Sequence, residues 1–292
     1  LVLGSRTFAP TDLAVMAIVN RTPDSFYDKG ALYAQDAAFD AIDRYVDEGA
    51  DMIDVGGVKA GPGEEVDEAE ELRRTAAFVG RLRTRHPAVV ISVDTWRASV
   101  ARALVAEGAD LLNDTWGGWD PDLAVVAAEA GVGLVCAHAG GYEPRTRPHR
   151  VNYPVGEDGT GGVVDDVLRT VLGLASRAVE VGVRPDGLLI DPAHDFGKNS
   201  RHSFEISRRL GELVDTGWPV LLAASRKDFI GEALDLPPED RLEGTLAVTA
   251  VSAYLGARVF RCHDVRATRR VLTTVAVLKG DRDLAVARRG LA

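Results

Sequence analysis

The chain has 292 residues, 46% hydrophobic and 27% charged, an ordinary globular mixture with enough length to bury a full core. Its formal charge of −10 argues against a nucleic-acid partner, and no apolar stretch approaches the ~20 residues that span a bilayer. Two cysteines far apart in sequence, Cys136 and Cys262, imply no disulfide scaffold and fit a reducing cytoplasm. The opening Leu-Val-Leu-Gly-Ser-Arg is too short and too polar for a signal peptide, and without an initiator Met it reads as a trimmed start.

In chain order, short apolar runs alternate with helical segments. Residues 13–19 form the first run. The helix expected over 36–49 places Phe39, Ile42, Tyr45 and Val46 on one stripe, and Gly49 stops it. The run 52–55 precedes a dense acidic stretch, Glu64 to Glu71, read as the solvated start of a helix favoured by the macrodipole. Runs 89–93 and 111–112 flank a helix expected over 98–108. Gly-Ala-Asp recurs at Gly49–Asp51 and Gly108–Asp110, suggesting two equivalent helix-to-strand turns. Run 133–136 leads into the one long irregular stretch, 139–162, where Arg145, Arg147, His149 and Arg150 make a basic patch on an acidic protein. A helix over 163–182 follows, then runs 188–190, 220–223 and 258–260, and an apolar helical segment over 269–278.

The runs are short, rich in Val, Leu and Ile, and do not alternate cleanly, as expected for parallel strands buried on both faces. Eight such runs alternating with helices, with no linker, imply one domain over residues 1–292: an α/β fold of the (β/α)8 TIM-barrel type. The open doubly wound alternative lacks its usual G-x-G-x-x-G after the first strand.

Nearly every run ends in a residue able to do chemistry: Asn20, Asp54, Asp94, Asn113 with Asp114, His138, Asp191, Ser225-Arg226-Lys227, and Arg261-Cys262-His263-Asp264. In a barrel these ends share one rim, where such enzymes place their sites. A single Asp or Asn after a strand is more often a turn former or cap, but caps do not call for Lys, Arg and His as well. Asp94, Asn113 and Asp191 offer acceptor oxygens to a heterocycle rich in N–H donors, such as an amino-oxo-pyrimidine. Lys227, Arg261 and His263 suit phosphate oxygens. The histidines and cysteines show no close ligand pair of the kind zinc needs. Trp96, Trp116 and Trp119 follow the Asp94 and Asn113 motifs and could wall a ligand or pack helices.

These motifs resemble those of dihydropteroate synthase over essentially the whole chain. Met16-Ala-Ile-Val-Asn20-Arg-Thr-Pro-Asp-Ser-Phe26, Ser92-Val-Asp-Thr95, Leu112-Asn-Asp114, Asp191-Pro-Ala-His-Asp-Phe-Gly-Lys198, Ser225-Arg-Lys-Asp-Phe229 and Arg261-Cys-His-Asp264 occur in family order. The resemblance implies a pterin ring held by Asp94, Asn113, Asp191 and Lys227, with Asp54 and Phe196 as further substrate contacts. It implies Arg261 and His263 on the pyrophosphate, with Lys227, Arg261 and His263 as the catalytic set, and Asn20 on both the pyrophosphate and Mg2+. Ser225 and Arg226 would line the side of the p-aminobenzoate acceptor, and the partner would be a second copy in a homodimer across late helices. A pterin-dependent methyltransferase domain shares the barrel but needs no phosphate site at Ser225–Lys227 and Arg261–His263.

The departures gather on the acceptor side. Where the family carries Gly-Gly-Glu-Ser-Thr-Arg-Pro-Gly, the chain has Gly56-Gly57-Val58-Lys59-Ala60-Gly61-Pro62-Gly63, so Thr becomes Ala60 and Arg becomes Gly61. Lys59 does not replace a planar guanidinium geometrically. Asp-Pro-Gly-x-Gly-Phe-Gly-Lys becomes Asp191-Pro-Ala193-His194-Asp195-Phe196-Gly-Lys198; if those glycines adopt positive φ, Ala193 is strained or the loop re-routed. His138 lacks its usual preceding Met, and Cys262 replaces an aliphatic residue. Losing one transition-state cation costs about 2.7–4 kcal/mol, or 100- to 1,000-fold in rate. The pattern resembles the divergent second synthase-like paralogue of actinobacteria, with weak or absent turnover of p-aminobenzoate or, in the alternative, a pterin- and pyrophosphate-binding pseudoenzyme.

Overall fold

The computed structural model describes residues 1–22, 35–146, 152–155 and 161–289. Within these, eight parallel strands form a barrel: β1 (Ala14–Asn20), β2 (Met52–Gly56), β3 (Val90–Asp94), β4 (Leu111–Asp114), β5 (Gly133–Ala137), β6 (Leu188–Asp191), β7 (Leu221–Leu222) and β8 (Val259–Cys262). Each strand pairs with its sequence neighbour, β8 pairs with β1, and a parallel bridge between Ile190 and Val220 joins β6 to the start of β7. Each expected run is a strand.

Helices α1 (Gln35–Asp47), α2 (Glu68–Arg85), α3 (Ala98–Ala106), α4 (Asp122–Ala130) and α5 (Gly162–Glu180) follow β1 to β5 in turn. The pairs α6 (Ser200–Arg208) with α7 (Leu210–Val214) and α8 (Asp228–Leu234) with α9 (Leu242–Leu255) follow β6 and β7, and α10 (Val265–Lys279) follows β8. The acidic stretch is the start of a helix: Asp67 caps α2, accepting from the Glu70 amide at 2.8 Å.

Period-two alternation is present but divides residues between two cores rather than between core and water. Val15, Ala17, Val19, Ile53, Val55, Ile91 and Val93 face outward into the layer shared with the helices. Met16, Met52, Val90, Leu111, Val135, Leu189, Leu221 and Val259 fill the barrel interior. A hairpin pairing Val2–Leu3 with Arg6–Thr7 adds Leu3 and Phe8 to that inner cluster, plugging the end from which the strands start. The fit there is close: a Cβ on Gly133 would lie 2.4 Å from Leu3 Cδ2 and 2.7 Å from the Gly187 carbonyl.

The two Gly-Ala-Asp turns are equivalent. Gly49 and Gly108 have φ of 96° and 105°. The Asp51 carboxylate accepts from the Val15 amide at 2.9 Å, and that of Asp110 from the Ile91 amide at 2.8 Å. Each Asp also pairs with an arginine that grips the glycine carbonyl, Arg269 at Gly49 and Arg83 at Gly108. Cys136 and Cys262 are buried in the outer core, their thiols pushed up to about 12 by burial.

Candidate functional site

One step up the barrel from the apolar layer, the inward positions turn polar. Asp54, fully buried, accepts from Ser92 Oγ at 2.5 Å, Arg261 Nε at 2.7 Å and, more weakly, Asn113 Nδ2 at 3.3 Å. Strand register brings these groups together, with Asp54 beside Ser92 and Asp94 beside Asn113. Arg261 reaches on to Asp94 Oδ2 at 3.2 Å, and Thr115 donates to Asp94 Oδ1 at 3.0 Å. One guanidinium thus serves two carboxylates, Asp54 fully buried and Asp94 mostly so, which is tolerable because each oxygen has a donor. Burial pushes Asp94 up to about 7 against the pull of Arg261, and the Asp54 carboxylate adds to the rise.

Above this layer opens a cavity of about 470 Å3. Asp94, Asn113, Asp191 and Lys227 all line it, as do Asn20, Phe196, Ser225, Arg261 and His263. Asp191 is also raised by burial, opposed by Lys227 and by the Ala193 amide, which donates to Oδ1 at 2.7 Å. Lys227 donates to the His194 carbonyl at 2.6 Å and stands 4.9 Å over the Phe196 ring. Trp116 walls the cavity, edge-on to Phe196 at 5.4 Å, whereas Trp119 is 51% exposed and lies outside it.

The β6–α6 loop carries the strain expected of it. Ala193, Asp195 and Gly197 take φ of 48°, 69° and 63°, so Ala193 carries a left-handed backbone against its Cβ. Lys198, almost wholly buried, holds this loop. Its Nζ shares its N–H groups among four acceptors, the carbonyls of Phe196 at 2.8 Å, His138 at 3.0 Å and Ala193 at 3.1 Å and the His138 Nδ1 at 2.7 Å, and burial lowers it well below the usual lysine value. His138 Nε2 lies 2.9 Å from Asp166, so with Lys198 donating to Nδ1 the ring hydrogen sits on Nε2. Burial, reinforced by Lys198, lowers His138 to about 3. Neighbouring His194 is buried and neutral, with Nε2 3.0 Å from Ser207 Oγ and its ring stacked on Phe229.

On the opposite flank, Ser225 Oγ accepts from the His263 amide at 3.2 Å and lies 2.9 Å from His263 Nδ1. Burial next to Arg261 lowers His263 to about 3, so it lines the cavity as a neutral imidazole.

A family model described as pterin binding enzyme matches residues 16–263. The chain belongs to the pterin-binding dihydropteroate synthase family. It is 57% identical over 290 residues to a protein of Mycobacterium tuberculosis named inactive dihydropteroate synthase 2, covering 99% of this chain and 90% of that one. It is 40% identical over 259 residues to the dihydropteroate synthase of Bacillus subtilis, covering 88% and 85% of the two chains. The crystal structure of Yersinia pestis dihydropteroate synthase with a sulfonamide drug aligns with a TM-score of 0.88 at 32% identity, over 97% of this chain and 99% of that one. Both the family and its divergent second paralogue are those expected from the motifs.

Two residues expected to contact substrate lie elsewhere. Asp54 sits beneath the cavity and reaches it through Asn113 and Arg261. Arg226 does not line the cavity. Its guanidinium makes a bidentate pair with Asp264 at 2.8 and 2.9 Å and donates to the carbonyls of Pro238 and Glu239, tying the β7–α8 loop to the end of β8. A positive φ of 56° at Arg226 directs it there. Arg261, expected on pyrophosphate, lines the cavity while bound to Asp54 and Asp94.

Of the departures read in the motifs, Ala60, Gly61, Ala193 and Asp195 line the cavity, whereas Cys262 is buried in the outer core. Ala60 and Gly61 give the cavity no side-chain donor, and Lys59 lies beside them. Of the basic patch, Arg145 alone is described; Arg147, His149 and Arg150, like Pro23 to Phe26 of the first motif, lie outside the described residues. Ser92, Thr115 and Lys198 went without a role in the sequence reading. The signal for Ser92 and Thr115 is parity: each stands two positions from an inward acceptor, Asp94 or Asn113.

Proposed function

We propose that this chain holds a pterin bearing a CH2-pyrophosphate in the cavity and is built to join it to an arylamine, with p-aminobenzoate itself a poor acceptor. The observation that carries this is the convergence of Asp94, Asn113, Asp191 and Lys227 on one opening of about 470 Å3. Asp94 and Asp191 accept from the ring N–H and amino groups, Asn113 reads the adjoining edge, and Lys227 donates to the ring carbonyl side. In the reaction the carbon–oxygen bond to pyrophosphate breaks with its electron pair on oxygen. The amine lone pair forms the new carbon–nitrogen bond, and the amine gives up a proton. Arg261, held by Asp54 and Asp94, and the neutral imidazole of His263 serve the departing phosphate oxygens.

Among the described residues no three His, Cys, Asp or Glu side chains group to hold a metal ion. Asn20 offers one amide oxygen to the cavity. That donor suits Mg2+, which keeps several waters and is completed by substrate phosphates rather than by an all-protein cage. When bound it would supply charge neutralisation of the leaving group. No described helix is long and apolar enough to cross a membrane. The two free, buried cysteines support the cytoplasmic setting proposed for the chain. Val251 and Tyr254 on α9 and Leu278 on α10 are exposed on adjoining late helices, the face we assign to a homodimer.

A second reading, binding without turnover, is favoured by the loss of donors at Ala60 and Gly61 and by the names of the mycobacterial relatives. Calorimetry with the pterin pyrophosphate, with and without Mg2+, followed by a turnover assay with p-aminobenzoate and a panel of other arylamines separates the two. Binding with turnover at rates normal for a synthase overturns the poor-acceptor claim. Binding with no arylamine consumed selects the second reading, and absence of binding removes both.

A further inference from the structure

Asp114 is a strand-end carboxylate that the site described above leaves unused. Along β4, Leu111 faces the barrel interior and Leu112 the helix layer, so parity sends Asn113 inward and Asp114 outward. Asn113, Thr115 and Trp116 accordingly line the cavity, and Asp114, 5% exposed, does not. Its carboxylate is wrapped by the turn that follows: Oδ1 accepts from the Trp116 amide at 3.1 Å and Oδ2 from the Gly118 amide at 2.6 Å. Two acceptor oxygens are required here, because an Asn would set its own NH2 against one of those N–H groups.

The turn has little other freedom. Gly117 and Gly118 take φ of 64° and 75°. A Cβ on Gly117 would lie 2.8 Å from the Ala137 carbonyl at the end of β5, and one on Gly118 would lie 2.6 Å from Leu174 Cδ2 on α5. The turn is therefore pressed against its neighbours on one side and tied to Asp114 on the other. What it carries belongs to the ligand site. Thr115 donates to Asp94 Oδ1 at 3.0 Å, and Trp116 stands edge-on to Phe196 at 5.4 Å and to Trp96 at 6.5 Å.

We propose that Asp114 is a positioning residue of this site: its carboxylate fixes the 115–118 turn, and through that turn the Thr115 donor on Asp94 and the Trp116 wall. The inference rests on the pterin reading above for its ligand, but its first consequence needs no ligand. The Thr115 hydroxyl favours the ionised form of Asp94, alongside Arg261 and against Asp54 and Glu71. Releasing the turn withdraws that donor and raises the pH at which Asp94 titrates. Loss of the Asp114 charge by itself acts oppositely, since removing a nearby negative charge eases ionisation, so the sign of the shift identifies the route.

The test follows the carboxyl-carbon resonance of Asp94 by NMR against pH in the ligand-free protein. Asp114→Asn is expected to raise the titration midpoint by about half a pH unit or more, Thr115→Val to raise it as far, and the double variant to add nothing to either. Gly118→Ala keeps the Asp114 charge and drives a Cβ into Leu174, so it is expected to raise the midpoint too and stands in should Asp114→Asn not fold. A midpoint that falls or stays put in Asp114→Asn, or shifts that add in full in the double variant, overturns the proposal. At about pH 8, Asp114→Asn is also expected to weaken calorimetric binding of a hydroxymethyl-dihydropterin at least about threefold, through the displaced wall. Unchanged affinity there overturns the part assigned to Trp116. Wild-type protein that binds no pterin strikes the pterin reading alone, and the Asp94 midpoint still decides this one.

Discussion

Asp94 sits at a pKa of about 7 because burial outweighs the hydrogen bonds it receives. A pterin that donates two N–H groups to it favours the ionised form, so ligand binding pulls the proton off. Affinity then tracks the ionised fraction of the free protein. At pH 7 that fraction is about one half, and at pH 5 about one hundredth, so affinity is expected to fall about fifty-fold, or about 2.3 kcal/mol. Between pH 7 and pH 9 the gain is only about twofold. The ligand for this measurement is a hydroxymethyl-dihydropterin without phosphate, which removes phosphate titration from the window. Calorimetry at pH 7 in two buffers of different ionisation enthalpy should show about half a proton released per ligand bound. Asp94→Asn, which has no proton to lose, should bind more weakly at pH 7 and keep only the pH dependence contributed by other buried carboxylates such as Asp191, which burial also raises. A wild-type affinity that changes less than threefold from pH 5 to pH 7 would refute the reasoning.

Three further outcomes follow from the geometry. Ala193→Gly should stabilise the protein by about 0.5–1 kcal/mol, because relief of the left-handed Cβ clash exceeds the added freedom of the unfolded chain; chemical denaturation checks the sign. Arg261→Met leaves Asp54 and Asp94 buried without their cation and should cost about 3–5 kcal/mol, and a loss under 1 kcal/mol would show that the pair is not energetically coupled. His138, lowered from 6.5 to about 3, binds its proton more readily in the unfolded chain, so the stability linked to it is lost as pH falls from 6.5 toward 3. Asp94 and Asp114, raised to about 7 and about 6, act with the opposite sign over the upper part of that range. The test is therefore a difference: His138→Gln should reduce the acid slope of unfolding free energy by about 1.4 kcal/mol per pH unit relative to wild type.

The barrel was legible because its strands are short, apolar and separated by glycine-stopped helices, and Gly49 and Gly108 do close equivalent turns. The inner and outer cores were not legible. Met16 and Ala17 are both apolar and both buried, and only the closed sheet assigns one to the barrel lumen and the other to the helix layer. Asn20, Asp94, Asn113, Asp191, Lys227, Arg261 and His263 could be found from sequence, since position at a strand end and side-chain chemistry agree. Arg226 could not, because its neighbours Ser225 and Lys227 both face the cavity and nothing local reveals that a positive φ turns it toward Asp264.

The β6–α6 loop shows why a broken motif need not mean a broken site. Replacing glycine by Ala193 and Asp195 predicts strain or a new path, and sequence alone does not choose. The loop is held because Lys198 gathers the carbonyls of Ala193, Phe196 and His138, while Ser203 and the Phe229 amide hold the Asp195 carboxylate. The backbone that places Asp191 and Phe196 is therefore set by buried polar partners rather than by glycine's freedom. Asp195 is itself one of those partners, so position 195 carries part of what holds the loop, while Ala193 bears the left-handed strain that the other contacts offset.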